Sequence, residues 1–192
     1  MKKRRKNIIK AVSVVGIVIV LGIMWGKYND LKTEVYIFPE NLIGYMQFDI
    51  EQQIEDINET NSTQDICTEV YETNDGSLAV RLNEKQRNWW IENVNGKIER
   101  FEKDVAEKGG KLKVSDDRTS IIFEASPKLY MEYISAKSYL ASIGAAEYQI
   151  LTGENPEEWH VYLCFKNIET GEIIAGGTIP YDTIEFTDED LK

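Results

Sequence analysis

Apolar and polar positions fall into blocks along the chain, and the changes of period between blocks mark the expected elements. The first block carries no charge. Residues 11–26 are uncharged and follow the basic stretch Met1-Lys2-Lys3-Arg4-Arg5-Lys6. As a helix its 16 residues span roughly 24 Å, short of a hydrocarbon core of ~30 Å. Ile8 and Ile9 extend the apolar stretch beyond Lys10, whose stem can lie in lipid while its ammonium reaches the headgroups. Trp25 and Tyr28 stand near the far end, where amphipathic rings are comfortable. The pattern predicts a transmembrane helix over residues 8–26, a cytoplasmic basic tail over 1–7, and everything from Lys27 onward outside the membrane. A cleaved signal peptide needs small residues at −3 and −1 of the cut. Cutting after Gly26 puts Met24 at −3, so a retained anchor is expected.

Residues 27–62 read as a connector with short strands. Residues 33–38 look extended, Pro39-Glu40-Asn41 signals a turn, and 43–50 reads as a second strand. Residues 51–61 are acidic and thin in apolar side chains, a short helix or a loop. A globular unit is expected over 63–186, with an acidic tail over 187–192. It opens with a strand over 66–73, the hairpin turn Asn74-Asp75-Gly76-Ser77, and a return strand with Leu78, Val80 and Leu82 on one face. Asn83 and Gln86 have the spacing of a capping box. Trp90, Val94, Ile98, Phe101 and Val105 then recur at helical spacing, and Gly109-Gly110 closes that helix.

Residues 111–115 and 119–125 flank Asp116-Asp117-Arg118 as a second hairpin. Ser126-Pro127 starts a second helix, because Ser caps and Pro loses nothing at the first helical position. Its stripe is Leu129, Tyr133, Ala136, Leu140 and Ile143, widened by Tyr130, Ile134, Ala141, Ala145 and Tyr148. The helix is expected to run to Leu151 and stop at Gly153. Trp159, Val161, Leu163 and Phe165 share one face of a strand whose other face, His160, Tyr162 and Cys164, is also fairly apolar. That describes a central strand. A turn at Glu169-Thr170-Gly171-Glu172 leads to a last strand over 173–179. The fold class expected is α+β: an antiparallel sheet in ββαββαββ order with two helices on one face.

Charge changes the picture of partners. Six of the 22 Lys and Arg residues lie in the first ten positions, and the first acidic residue is Asp30. Beyond residue 26 there remain 16 basic against 33 acidic groups, a net of −17. Such a domain is repelled by nucleic acid and by anionic lipid surfaces. A hydrophobic content of 42% is enough for a packed core, so the chain is not a disordered tail.

Candidate chemistry is sparse. Cys67 and Cys164 can form a disulfide outside the membrane only if their strands are neighbours; otherwise they are two buried thiols. His160 is the sole histidine. It lies about 13 Å along an extended strand from Cys164, too far for a catalytic dyad. One His and two distant Cys do not make a zinc site. Asp116-Asp117 and Asn74-Asp75-Gly76 carry oxygen ligands but suit turns better than calcium loops. Glu157-Glu158 and the tail run Asp188-Glu189-Asp190 read as solvated charge. No nucleophile elbow, P-loop or dinucleotide fingerprint occurs. Gly176-Gly177 within a strand marks a bulge or a close backbone approach.

Trp89 is turned about 100° from the core stripe of its helix. It sits either on the rim of the core or at a contact with a partner. The sequence therefore points to a non-enzymatic, single-pass protein of the cell membrane, held through residues 8–26. It would present a small acidic binding or regulatory domain outside the membrane to a protein partner in the envelope, with no cofactor, metal or nucleic acid. The alternatives are an envelope hydrolase using carboxylates and a structural subunit of a membrane complex.

Overall fold

The computed structural model describes residues 32–47 and 49–186. The expected membrane helix and the acidic tail lie outside those residues; among the described residues no helix is long and apolar enough to cross a membrane. The chain forms a mixed α+β fold with two sheets and five helices.

The first sheet has three strands, β1 (Thr33–Phe38), β2 (Glu69–Glu72) and β3 (Leu78–Asn83), in the order β1-β3-β2, all antiparallel. β3 is central, and Leu78, Ala79, Val80 and Leu82 are all buried. Between β1 and β2 run α1 (Glu40–Met46) and α2 (Ile50–Gln64). The second strand expected over 43–50 is therefore a correction. Leu42, Ile43 and Met46 are buried together on one face of a helix, and Gln47 closes it in the left-handed region at φ 52°. Spacings of one and three fit a helical period, not alternation. Asp49 then caps α2, accepting from the backbone N–H groups of Glu51 (2.9 Å) and Gln52 (3.1 Å). Residues 33–62, read as a connector, thus supply β1, α1 and most of α2, with Phe38 and Leu42 in the same apolar core as the later elements.

Helix α3 (Glu84–Glu107) begins on the expected capping box. Asn83 Oδ1 accepts from Gln86 N (2.9 Å) and Gln86 Oε1 accepts from Asn83 N (3.0 Å). Its buried face is Gln86, Val94, Ile98, Phe101 and Val105. Gln86 also donates to Asp65 Oδ1 (3.0 Å) and accepts from Thr68 Oγ1 (3.2 Å), tying the end of α2 to the start of α3.

The second sheet holds β4 (Lys111–Val114), β5 (Ser120–Ala125), β6 (Val161–Asn167) and β7 (Ile173–Ile179), in that order. β5 and β6 are parallel, while the outer pairs are antiparallel. The single antiparallel sheet expected from sequence is corrected here on two counts. β1 occupies the free side of β3, so β4 starts a separate sheet. The path from β5 to β6 passes through a helix, the crossover that parallel neighbours require. That crossover consists of α4 (Pro127–Leu129), a π turn (Tyr130–Ile134) and α5 (Ser135–Thr152), ending at Gly153 with φ 106°.

α3 and α5 pack on each other rather than side by side on one sheet. α3 reaches β3 and β4, and α5 reaches β1 and β6, so the two helices link both sheets. Tyr130, 1% exposed, fastens the parallel pair. Its hydroxyl accepts from Lys166 N (3.0 Å) and faces the carbonyls of Phe123 (2.7 Å) and Lys166 (2.6 Å). Gln149 is buried and bridges the β4–β5 turn to the entry of β6, donating to Arg118 O (2.9 Å) and His160 O (2.8 Å). Trp159 is fully buried and donates to Asn41 Oδ1 (2.9 Å), joining α1 to the second sheet. The Gly176-Gly177 pair is a close approach: a methyl group at Gly177 would stand 2.9 Å from Asp182 Cβ, and one at Gly176 3.1 Å from Leu163 O. The bulge lies elsewhere, between Phe165 and Lys166.

Candidate functional site

The residues singled out from sequence do not converge. Cys67 and Cys164 are both buried free thiols. Cys67 precedes β2 in the first sheet and Cys164 lies in β6 of the second, so the neighbouring strands that a disulfide requires are not there. Burial pushes the Cys67 thiol up, with Asp65 adding to the shift. His160 is exposed, its Nδ1 3.0 Å from Glu158 O, while Cys164 faces inward.

The two Asp-rich segments are turns. Asp117 accepts from Ser115 Oγ (2.6 Å), Thr119 N (3.0 Å) and Thr119 Oγ1 (2.8 Å), and those bonds lower its pKa to about 2. Asp75 bonds Thr73 and Gly76 takes φ 78°. Among the described residues no group of His, Cys, Asp and Glu could hold a metal ion.

What the fold does build is a groove beside α3. Its larger lobe, of about 720 Å³, lies among the end of α1, α2, α3 and α5. Its smaller lobe, of about 210 Å³, lies nearer the start of α3. Met46, Gln53, Lys97 and Glu147 line both lobes and form the waist between them. The groove follows α3 from Trp89 to Glu107, about 27 Å of helix. α3 and α5 face each other at Gly144, where a methyl group would make an ordinary contact with Val94 Cγ1 at 3.5 Å.

The smaller lobe is aromatic. Trp90 donates Nε1 to Ile66 O (2.8 Å) and stacks on Phe38 with centroids 6.1 Å apart. Trp89 meets Trp90 edge-on at 6.3 Å, is half-buried against the core, and lines the lobe. Trp89 is thus a rim residue whose open side is a cavity wall.

The larger lobe has an apolar floor of Ile98, Phe101, Ala141 and Ile143, with Leu140 at its mouth. Leu140 is 52% exposed. The sequence stripe placed it in the core. The buried face follows Tyr130, Ile134, Ala141 and Ala145, the residues read as widening the stripe, and Leu140 turns outward.

Charges surround this floor. Lys97, Arg100, Lys103 and Lys137 line the lobe together with Asp104, Glu107 and Glu147. Lys103 pairs with Glu107 at 3.8 Å, Tyr133 donates to Asp104 at 3.0 Å, and Lys137 lies over the Tyr133 ring at 5.7 Å. Among the described residues, Lys97 and Arg100 have no ion-pair partner within 4.0 Å, and Glu147 has neither a hydrogen bond nor an ion pair. Glu147 is half-buried as a residue. Desolvation of its carboxyl in the groove pushes its pKa up, and Lys97 opposes that only in part.

Sequence reasoning counted Glu147 merely as a helix former. A signal was present: Glu147 is the sole charged residue between Lys137 and Glu154, inside a helix read as buried on two sides. No protein-family model, curated protein or solved structure matches this chain.

Proposed function

We propose that this chain is a membrane-tethered binding or regulatory module whose ligand site is the two-lobed groove along α3. The observation that carries the reading is Glu147. It is a half-buried carboxyl at the waist of the groove with no hydrogen bond or close ion pair, its pKa raised by desolvation that Lys97 offsets only in part, the kind of group that a bound ligand can engage. Support comes from the exposed Leu140 at the mouth and from a volume within the usual range for small-ligand sites. The tether rests on the uncharged run over residues 11–26 and the basic block before it.

Two measurements test the two halves of the proposal. Membrane fractionation should recover the full chain in the pellet, with protease added to spheroplasts digesting the domain; recovery in the soluble fraction overturns the tether. A photoreactive residue at Leu140 should give a saturable adduct in intact cells, while one at exposed Lys85 should give none. Equal labelling at both positions, or none at either, overturns the groove as the site.

A further inference from the structure

Resting on the reading of the groove as the binding site, we infer that its ligand is a single-chain anionic amphiphile: one long acyl chain carrying one anionic head. The chain lies on the floor of Ile98, Phe101, Ala141 and Ile143, and the head meets Lys97 and Arg100 near the waist.

Charge complementarity argues for the head. The part of the chain beyond residue 26 carries 33 acidic against 16 basic groups, yet the larger lobe gathers four cations and three carboxylates. Two of those carboxylates are engaged, Glu107 by Lys103 and Asp104 by Tyr133. The cations left over, Lys97 and Arg100, lie one helical turn apart and are exposed at the groove. A guanidinium and an ammonium at that spacing suit one carboxylate or phosphate head. Glu147 lines the waist with Lys97, and its desolvation favours the uncharged form, which removes a repulsion and offers a donor.

Lining argues for the chain. The walls of the larger lobe are helices, so no open sheet edge is available there to pair with an extended peptide. An acyl chain needs no backbone partners, and the floor of Ile98, Phe101, Ala141 and Ile143 is apolar.

The test uses the full chain in nanodiscs with palmitate carrying a terminal diazirine as the probe. Labelling should saturate, map to α3 and α5 around Phe101 and Leu140, and be competed by palmitate at least tenfold better than by hexadecanol. Lys97→Gln with Arg100→Gln should weaken the competition at least tenfold while the chain still melts cooperatively, because both side chains are exposed. Competition by hexadecanol equal to palmitate, labelling spread along the chain, or no effect of the double variant overturns the inference. A peptide adduct at a photoreactive Leu140 position, with no palmitate labelling, overturns the ligand class and leaves the groove reading standing. Loss of both signals overturns both.

Discussion

Glu147 sets the sign of a pH dependence. Its folded pKa lies above its ordinary value of 4.5, so the folded state holds a proton that the unfolded state releases. Stability from this group is complete below about pH 4.5 and declines as pH rises through the folded pKa. Glu147→Gln should therefore raise the melting temperature at neutral pH and leave it nearly unchanged near pH 4. A gain of about 1 kcal/mol would appear as about 2–4 °C in a chain of this size. Thermal scans at the two pH values check it, and a loss at neutral pH would show that the carboxylate is compensated. Tyr130 gives a second dependence at the alkaline end. Burial pushes its pKa from 10.0 up to about 12. Its stabilisation is intact below pH 10 and is lost as pH rises to 12, about 2–3 kcal/mol in all. Tyr130→Phe should flatten that alkaline loss. At neutral pH it should cost about 1–3 kcal/mol, because the Lys166 N–H loses its buried acceptor. Urea unfolding at pH 7 and pH 11 separates the two effects.

Among the elements, α3 was the most legible because every local signal agreed. The capping pair, the stripe from Val94 to Val105 and the closing glycines all point to one helix. Asn83→Ala should cost about 1 kcal/mol. Gln86→Ala should cost more, since Gln86 is buried and also bonds Asp65 and Thr68; chemical denaturation of the two variants checks the order. The hairpin turns were legible for a similar reason, since Gly76 and the Asp117 bonds are local chemistry. The misread places are those where a local pattern is ambiguous or a distant partner decides. Leu42, Ile43 and Met46 are too few to separate helix from strand by period. Leu140 lies outward because the buried face of its helix is centred on Tyr130, Ile134, Ala141 and Ala145, beside the stripe to which Leu140 was assigned. The parallel pairing of β5 with β6 is fixed by the crossover and by Tyr130, neither of which leaves a mark on the strands themselves. The groove was invisible for the same reason: its waist draws Met46, Gln53, Lys97 and Glu147 from four helices.

For the whole molecule, the main consequence is that β1 and α1 contribute to the core. β1 pairs with β3 along six residue pairs, from Thr33 with Asn83 to Phe38 with Leu78. Leu42 is fully buried, and Asn41 holds the indole of Trp159 just before β6 of the second sheet. Removing residues 1–62 would strip the central strand β3 of one neighbour and open the waist between the groove lobes at Met46 and Gln53. That truncation should not unfold cooperatively, whereas a chain starting at residue 32 should, as circular dichroism melts of the two would show. Leu42→Ala in the full chain tests the same packing without a deletion and should cost about 2–5 kcal/mol. Cooperative unfolding of the 63–192 fragment at the stability of the longer chain would make β1 and α1 accessories. The core would then have to close without them. α3, α5 and the link from Asn41 to Trp159 tie the two sheets together, so losing α1 removes one of these ties and leaves the groove without one wall.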